Sequence, residues 1–372
     1  MRIVALRVHV LLAPLAEPIR MAHGTLQRRP AVLVEVEEAG GVVGWGESWV
    51  NFPPWAWRER VATLEDGIRP LLLGADARDV DGLRARVEAA LLPMARQWGA
   101  VGPLMQALSG VDIALWDLRG RLEGCPVSAL LGGSPPARLP AYASGLGPGQ
   151  TVEKARRAVA AGFRALKLKV GFDVEADLAA VAAVRAAVGP EVAVMVDANQ
   201  AWTPEQALAI GPRLAAHGVR WLEEPVVSTD EHELARVTGK VGLPVAAGEN
   251  VYGRRGFARL LEARAADVVQ PDVAKTGGLT ELRAIVGLAA EHGRPWAPHY
   301  YGGAVGAAAT LHGFAACPGG LMVEWDWNEN PLRDDLLVDG FDVRDGSVAV
   351  PAGPGLGIEV DRRRLARFEV AR

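Results

Sequence analysis

The chain has little cysteine, no excess of basic residues and no long apolar run, and each absence excludes a class of protein. It has two cysteines, Cys125 and Cys317. These are too few for a disulfide framework, which indicates a reducing, cytoplasmic location. The 40 lysines and arginines are outnumbered by 44 aspartates and glutamates, giving a net charge of −4, so we expect no nucleic-acid partner. No uncharged apolar run reaches the roughly 18 residues of a membrane span, and the first ten residues, interrupted by Arg7 and His9, indicate a strand rather than a signal peptide.

The remaining composition is typical of a large folded protein. Half of the 372 residues are hydrophobic and 23% are charged, a balance that favours a sizeable core over disorder. The 43 glycines and 25 prolines indicate many short connections between regular elements. The length favours two domains or one barrel with additions.

The first third of the chain has a mixed α and β pattern. Segments 30–38 and 42–48 flank Gly40-Gly41, which predicts a β-hairpin. Three helices are predicted over 55–72, 79–92 and 103–123, and the last is expected to stop at Gly124. We assign residues 1–125 to an α+β capping domain.

From residue 139 onwards, short apolar segments alternate with amphipathic helices, and several helices end in a glycine. Eight strands are predicted, over 139–144, 164–170, 192–197, 219–223, 244–249, 266–271, 294–298 and 320–325. This alternation predicts an α/β fold, a (β/α)₈-type barrel of the modified (β/α)₇β form, over residues 126–330. The tail, 331–372, is expected to return to the capping domain.

Polar side chains recur at the predicted strand ends. They are Lys167, Lys169, Asp197, Glu223, Glu249, Asp272, His299 and Glu324. From Lys169 onwards they follow at intervals of 23 to 28 residues, which is one strand–helix unit. Because all strands of such a barrel open onto the same face, we expect these groups to share one cavity.

Three of these residues, Asp197, Glu223 and Glu249, are carboxylates on consecutive strands. Carboxylates that share a cavity repel one another and need a cation, and oxygen ligands suit Mg²⁺. The pattern alone does not decide between Glu223 and its neighbour Glu224.

The other polar residues are candidate acids and bases. Lys167 and Lys169 alternate with Leu166 and Leu168, so both lysines face the same way. His299 alone among the seven histidines stands at a predicted strand end. Asp272, one strand earlier, is placed to orient the ring of His299.

These residues, in this order, resemble the enolase superfamily and within it the mandelate racemase subgroup. The motifs that carry the resemblance are Lys167-Leu168-Lys169, Val196-Asp197-Ala198-Asn199, Leu222-Glu223-Glu224-Pro225, Gly248-Glu249-Asn250, Pro271-Asp272 through Gly278, Pro298-His299 and Val323-Glu324-Trp325. The resemblance covers nearly the whole chain, including Gly44-Trp45-Gly46-Glu47 of the capping domain.

The resemblance implies a division of roles. Asp197, Glu223 and Glu249 would bind Mg²⁺, Lys169 supported by Lys167 would be one acid/base, and the His299–Asp272 pair would be the other. Glu324 would donate a hydrogen bond to the intermediate, which requires it to be protonated. Lys169 must be neutral to accept a proton, and burial, the metal and Lys167 are expected to lower its pKa. Lys275 is the second base in the related muconate lactonizing subgroup, but Glu249 and His299 favour the racemase subgroup.

These roles imply a lyase or isomerase that removes the α-proton of a small carboxylic acid to give an enediolate. The preferred outcome is β-elimination of water, as in acid-sugar dehydratases. The alternatives are racemisation or epimerisation, a cycloisomerase of the muconate-lactonizing type, and a metal-binding protein without catalysis. Segments 18–30 and 45–57 are expected to form loops that select the substrate. Candidate substrate-binding residues are Arg20, His23, Asn199 and Trp325. A homo-oligomer is expected by analogy with similar barrel enzymes.

Overall fold

The computed structural model describes residues 1–134 and 137–370. Residues 135–136 and 371–372, which the predicted barrel segment and tail include, lie outside the described residues. None of the helices in the described part of the chain is long and apolar enough to cross a bilayer.

An antiparallel sheet opens the chain. It contains β1 (Ile3–Met21), β2 (Gly24–Glu38) and β3 (Val43–Ser48), in the order β1-β2-β3. The hairpin predicted at Gly40-Gly41 is confirmed, and Gly41 has φ +86°, a left-handed conformation that favours glycine in such a turn.

The loop expected over residues 18–30 is not a loop but a β-hairpin. β1 and β2 remain paired up to Met21 and Gly24, with one irregularity between Pro14 and Ile19. Prolines lack an N–H donor and interrupt the strand pattern there. Leu26 and Met21 are nevertheless buried, and this burial holds the two strands together beyond the interruption.

Helices cover the capping sheet. They are α1 (Ala56–Ala62), a π-helical segment (Thr63–Ile68), α2 (Arg69–Leu72), α3 (Val80–Trp98) and α4 (Val101–Glu123). The single helix predicted over 55–72 is thus divided by a π turn. The second predicted helix was expected to end at residue 92, and this was wrong. Pro93 lies on the exposed side of α3, and the helix continues to Trp98. Gly124 ends α4 in a left-handed conformation, as predicted.

Strands and helices then alternate around a barrel. In chain order they are α5 (Val127–Leu130), β4 (Arg138–Leu146), α6 (Thr151–Ala160), β5 (Ala165–Lys169), α7 (Val174–Val188), β6 (Ala193–Asp197), α8 (Pro204–Ala215), β7 (Val219–Glu223), α9 (Glu231–Val237), β8 (Val245–Ala247), α10 (Gly253–Glu262), β9 (Val268–Val269), α11 (Gly278–Glu291), α12 (Ala304–Ala316) and β10 (Val323–Asp326). Strands β4 to β9 pair in parallel in sequence order, and β10 pairs in parallel with β4. The predicted (β/α)₇β barrel with a capping domain is confirmed.

The strand predicted over 294–298 is reduced to a single bridging residue. Trp296 forms isolated parallel bridges with Val269 on one side and Gly320 on the other. Pro295 and Pro298 flank this position and cannot donate hydrogen bonds to a neighbouring strand, so a longer ladder does not form.

The tail contacts both parts of the molecule. It contains α13 (Pro331–Asp334), β11 (Val343–Arg344), β12 (Ser347–Ala349) and α14 (Arg362–Phe368). β12 is antiparallel to the start of β4. α14 lies against β1, where Leu11 bridges Glu369 and the Val370 N–H donates to the Val10 carbonyl at 2.9 Å.

The capping sheet packs closely on the rest of the molecule through β3. A Cβ on Gly46 would stand 1.8 Å from the Gly110 carbonyl oxygen, so α4 leaves no room for a side chain there. The next residue, Glu47, is buried and accepts hydrogen bonds from the Gly303 and Gly306 N–H groups at the start of α12, at 2.5 and 2.8 Å. Its carboxylate thereby joins the capping domain to the barrel.

Candidate active site

The interior of the barrel is built in layers that follow the period-two alternation of the strands. The lower layer is apolar and consists of Tyr142, Ala165, Met195, Trp221, Ala246, Val268 and Ala297. Four of these residues are followed, two positions later, by a polar residue of the site. The polar residues are Lys167, Asp197, Glu223 and His299. Because alternate residues of a strand face the same side, the apolar layer supports a polar layer directly above it.

Three carboxylates meet in this polar layer. Asp197, Glu223 and Glu249 are buried, and each offers one oxygen such that the three oxygens lie within 4.8 Å of one another. Burial raises the pKa of Glu223, against the opposing charge of Lys167. Burial also acts to raise the pKa of Glu249, but the charges of His299 and Lys275 outweigh it and hold that pKa well below its usual range. Three buried carboxylates at this separation form an arrangement that a cation would stabilise.

One oxygen of this cluster supports a metal site directly. Nε2 of His299 lies 2.9 Å from Oε2 of Glu249, but the geometry is not that of a hydrogen bond, and Oε2 has no hydrogen-bond partner among the described residues. A buried carboxylate oxygen without a donor fits a hard cation that prefers oxygen ligands.

The neighbouring Glu224 has a different environment. Its carboxylate accepts hydrogen bonds from Gln200 Nε2 at 3.1 Å and from Asn250 Nδ2 at 3.0 Å. Its backbone has φ +37°, a left-handed conformation that is unusual for a residue other than glycine. The three-oxygen cluster contains Glu223 and not Glu224, so the geometry favours Glu223 at the position that the sequence left open.

The closest contacts of the two lysines are with different carboxylates, although Nζ of Lys167 also lies 4.0 Å from Oδ2 of Asp197. Nζ of Lys167 lies 2.5 Å from Oε1 of Glu223 and 2.8 Å from Oε1 of Glu324. Nζ of Lys169 lies 2.5 Å from Oδ2 of Asp197. Burial and Lys167 act to lower the pKa of Lys169, but the Asp197 charge outweighs them and raises it. The expected lowering of this pKa includes the charge of a bound metal ion and stays a prediction.

His299 is held between two carboxylates. Nδ1 of the ring lies 2.6 Å from Oδ2 of Asp272, and Nε2 faces Glu249. Burial acts to lower the pKa of His299, but the charges of Glu249 and Glu324, with the hydrogen bond to Asp272, raise it well above its usual range. The structure thus brings the predicted pair together and presents the second ring nitrogen to the triad.

Glu324 lies among hydrogen-bond donors and one lysine. It accepts hydrogen bonds from the Ser144 hydroxyl and from the Tyr300 N–H at 2.9 Å, and it pairs with Lys167. Although burial acts to raise its pKa, Lys167 and His299 lower it. These contacts favour the ionised carboxylate in the protein without substrate, and the donor role of Glu324 that the resemblance implies stays a prediction.

A cavity of about 680 Å³ lies over the polar layer. Of the four candidate substrate-binding residues, Asn199 and His23 line it. Asn199 is also bonded to Asp197, through its N–H at 2.8 Å and through Nδ2 at 3.1 Å. Arg20 is exposed and does not line the cavity, and Trp325 packs instead against Phe341.

Parts of both predicted selectivity segments reach the cavity. From residues 45–57, the side chains of Trp49, Phe52 and Trp55 line it, whereas Trp45 is buried against His9. From 18–30, His23 reaches it from the tip of the hairpin.

Other residues of the cavity wall were not expected from the sequence. They are Glu59, Arg60, Pro103, Gln106, Gln200, Asn250, Tyr252 and Tyr301. Lys275 stands just behind this wall, with Nζ 2.9 Å from Oδ1 of Asn250 and 4.3 Å from the ring centre of Trp49. Tyr301 follows His299 by two residues and could have been found by the same alternation. The cavity residues that come from the capping domain do not lie on barrel strands, so no regular spacing in the sequence marks them.

Fold and site together define a capped barrel with a buried acidic triad, flanked by two lysines and a histidine. The family model for the mandelate racemase/muconate lactonizing enzyme N-terminal domain matches residues 3–132, and the enolase C-terminal domain-like model matches residues 150–364. The chain belongs to the mandelate racemase/muconate lactonizing enzyme family of the enolase superfamily.

Relatives with known activities cover almost the whole chain. D-galactarolactone cycloisomerase from Agrobacterium fabrum is 38% identical over 387 aligned residues, which cover 100% of this chain and 99% of that protein. Arabinonate dehydratase from Saccharolobus solfataricus is 35% identical over 88% of each chain. A racemase from Streptomyces coelicolor, solved with bound magnesium, superimposes with a TM-score of 0.90 at 29% identity, covering 99% of this chain and 100% of the other. The protein is therefore an enzyme of the lyase or isomerase class.

Proposed function

We propose that the protein removes the α-proton of a sugar-acid carboxylate in a Mg²⁺-dependent reaction and then eliminates the oxygen substituent at the β-carbon. One observation carries the proposal. Lys169 and His299 contact different members of the same carboxylate triad, Lys169 at Asp197 and His299 at Glu249. A substrate carboxylate held at the triad would thus have one acid/base group on each side.

The triad supplies the metal ligands in this proposal. Asp197, Glu223 and Glu249 would hold Mg²⁺, which when bound stabilises the negative charge that develops on the substrate carboxylate as the α-proton leaves. Lys167, fixed between Glu223 and Glu324, adds positive charge beside the same position.

Side chains of the protein carry out the proton transfers in this proposal. One of Lys169 and His299 accepts the α-proton, and the electron pair of the C–H bond passes into the enediolate. His299, oriented by Asp272, donates a proton to the β-oxygen as the carbon–oxygen bond breaks. The resulting enol tautomerises to a 2-keto acid, and the oxygen leaves as water from an open-chain acid.

A second outcome of the same chemistry is ring opening. If the β-oxygen belongs to a lactone or anhydro ring, the identical elimination opens the ring and releases no water. The full-length similarity to D-galactarolactone cycloisomerase favours this candidate specifically.

The experiment is a screen of sugar acids and their lactones in D₂O with Mg²⁺. α-Deuterium exchange is followed by ¹H NMR and the keto product by semicarbazide. We expect a 2-keto acid from at least one compound. Product from open-chain acids supports dehydration, and product from lactones alone supports ring opening. Exchange without any keto product would overturn elimination in favour of epimerisation, and no exchange at all would overturn α-proton abstraction.

A further inference from the structure

The cavity wall opposite the barrel contains a buried cation without a buried anion. Arg60, on α1, is 2% exposed and lines the same cavity as Glu249 and His299. Its guanidinium donates to two neutral acceptors, the Pro103 carbonyl through Nη1 and the Gln106 side-chain oxygen through Nη2, the latter at 2.5 Å. These two bonds use two of the five N–H groups that an arginine offers.

The remaining donors of Arg60 have no acceptor in the described part of the chain. Its Nε is buried without a hydrogen-bond partner. Its one ion-pair contact is Glu59, whose Oε2 lies 3.7 Å from Nη1, and whose side chain is 33% exposed. Burial lowers the pKa of Arg60 to about 10, with only Glu59 and Tyr252 opposing.

The other buried arginines of the described residues each have a carboxylate partner. Arg29 pairs with the buried Asp326, Arg84 with Glu281 at 2.8 Å, and Arg333 with Asp334 at 2.7 Å. A buried guanidinium is costly unless it is paired with an anion. Arg60 is the one buried arginine among the described residues that has no carboxylate within hydrogen-bonding distance.

The neighbours of Arg60 are suited to a polar ligand. Gln106 accepts from Arg60 and donates to the Tyr252 hydroxyl at 3.2 Å, and both residues line the cavity. Asn250 continues this polar wall to Glu249, to which its Nδ2 donates at 3.1 Å. A line of hydrogen-bonding groups therefore runs from the triad to the cation.

We propose that Arg60 binds a second carboxylate at the far end of the substrate, so that the substrate class is an open-chain dicarboxylic sugar acid. The proposal rests on the proposed function, because it assigns the other carboxylate to the triad. The planar guanidinium carries its charge beside the cavity, and the Nη hydrogens that do not bind Pro103 and Gln106 can donate to a carboxylate.

The test compares acids that differ only at the far end. Galactarate is compared with galactonate and glucarate with gluconate, all as open-chain acids, in the Mg²⁺-loaded full-length protein. The variants are Arg60→Met, which removes the charge, and Arg60→Lys, which keeps it without the fork. Arg58→Met on the same helix, at an exposed position, is the matched control. Turnover gives kcat and KM, and calorimetry in a Lys169→Met/His299→Asn background gives the dissociation constant without turnover.

We expect the wild type and Arg58→Met to prefer the diacid, and Arg60→Met to lose about 100-fold in diacid affinity and kcat/KM, chiefly through KM. The monoacid should change by less than about 3-fold, and Arg60→Lys should fall between. Equal losses for both acids, or no preference in the wild type, would overturn the proposal. If Arg60→Met fails to fold, the diacid-selective loss in Arg60→Lys decides instead. A diacid preference in binding without exchange on any acid would support the role of Arg60 while refuting the proposed reaction.

Discussion

The imidazole Nδ1 of His299 lies 2.6 Å from Oδ2 of Asp272, and the other oxygen of that carboxylate accepts from the Ala274 N–H at 2.7 Å. Both side chains are buried. The backbone contact fixes the carboxylate, and the carboxylate fixes the ring, so that Nε2 is directed at the triad. The orientation of the proposed acid therefore depends on one carboxylate that belongs to the preceding strand unit.

Asp272→Asn should lower kcat by about 10²- to 10⁴-fold, because the amide neither holds the same tautomer nor stabilises a charged ring. KM should change little, since Asp272 does not line the cavity. Steady-state kinetics on the substrate found by screening gives the answer, with Asp339→Asn at an exposed position as the control. An unchanged kcat would show that the pair does not act as proposed.

Lys167→Met should destabilise the protein by about 3–5 kcal/mol, because it leaves Glu223 and Glu324 buried without their shared cation. Urea unfolding in the presence of a chelator measures the loss, and Lys240→Met at an exposed position should change stability little. The double variant Lys167→Met/Glu324→Gln should be more stable than Lys167→Met alone. If it is not, repulsion between unpaired carboxylates is not the cause.

His312 should make stability depend on pH between about 4 and 6.5. It is buried between the Ser128 N–H and the Leu356 carbonyl, and burial lowers its pKa to about 4. Between these values the unfolded chain binds a proton that the folded protein does not, so stability is complete above about 6.5 and falls as the pH falls.

Relative to His312→Gln, the wild type should therefore lose up to about 3 kcal/mol on going from pH 7 to pH 4. Urea unfolding at both pH values measures this difference, in which groups common to both proteins cancel. His232→Gln, at an exposed position, should show no such dependence. Parallel pH profiles for wild type and His312→Gln would contradict the prediction.

Two glycine substitutions should have opposite effects. In Gly46→Ala the new methyl group would stand 1.8 Å from the Gly110 oxygen and 2.8 Å from the Ala114 nitrogen, both backbone atoms of α4. A loss of about 1–3 kcal/mol or more is expected. Gly287→Ala, exposed within α11 with no atom within 4 Å of the new Cβ, should gain about 0.5–1 kcal/mol from helix propensity. Thermal or urea unfolding of both variants tests the packing of β3 on α4, and equal stabilities would refute it.

The sequence predicts the polar layer of the barrel because each functional side chain holds a place in a strand repeat. Asp197 and Glu223 end their strands, and both stand two residues beyond an apolar interior residue. Prolines interrupt this repeat at two places, and both predictions there were wrong. The strand predicted around Trp296 is a single bridging residue, and the loop predicted beyond the irregularity between Pro14 and Ile19 is a β-hairpin.

Arg60 shows the other limit of sequence reasoning. It lies on a helix of the capping domain, where no sequence periodicity links it to the barrel. Its proposed role depends on the lack of a carboxylate within hydrogen-bonding distance, which only the folded structure reveals. The directions of the pKa shifts of Lys169 and Glu324 are equally hard to predict from the sequence. They depend on charged neighbours that come from other strands.

The docking of α14 on β1 has a consequence for biosynthesis. The first strand of the chain receives its covering partner from residues 362–370, including the Val370 N–H bond to Val10. A ribosome delivers those residues only after every barrel strand has been made. Helices α1 to α4 can cover the early sheet beforehand, but the edge of β1 that the tail contacts stays open to chaperones or to wrong partners until the tail emerges.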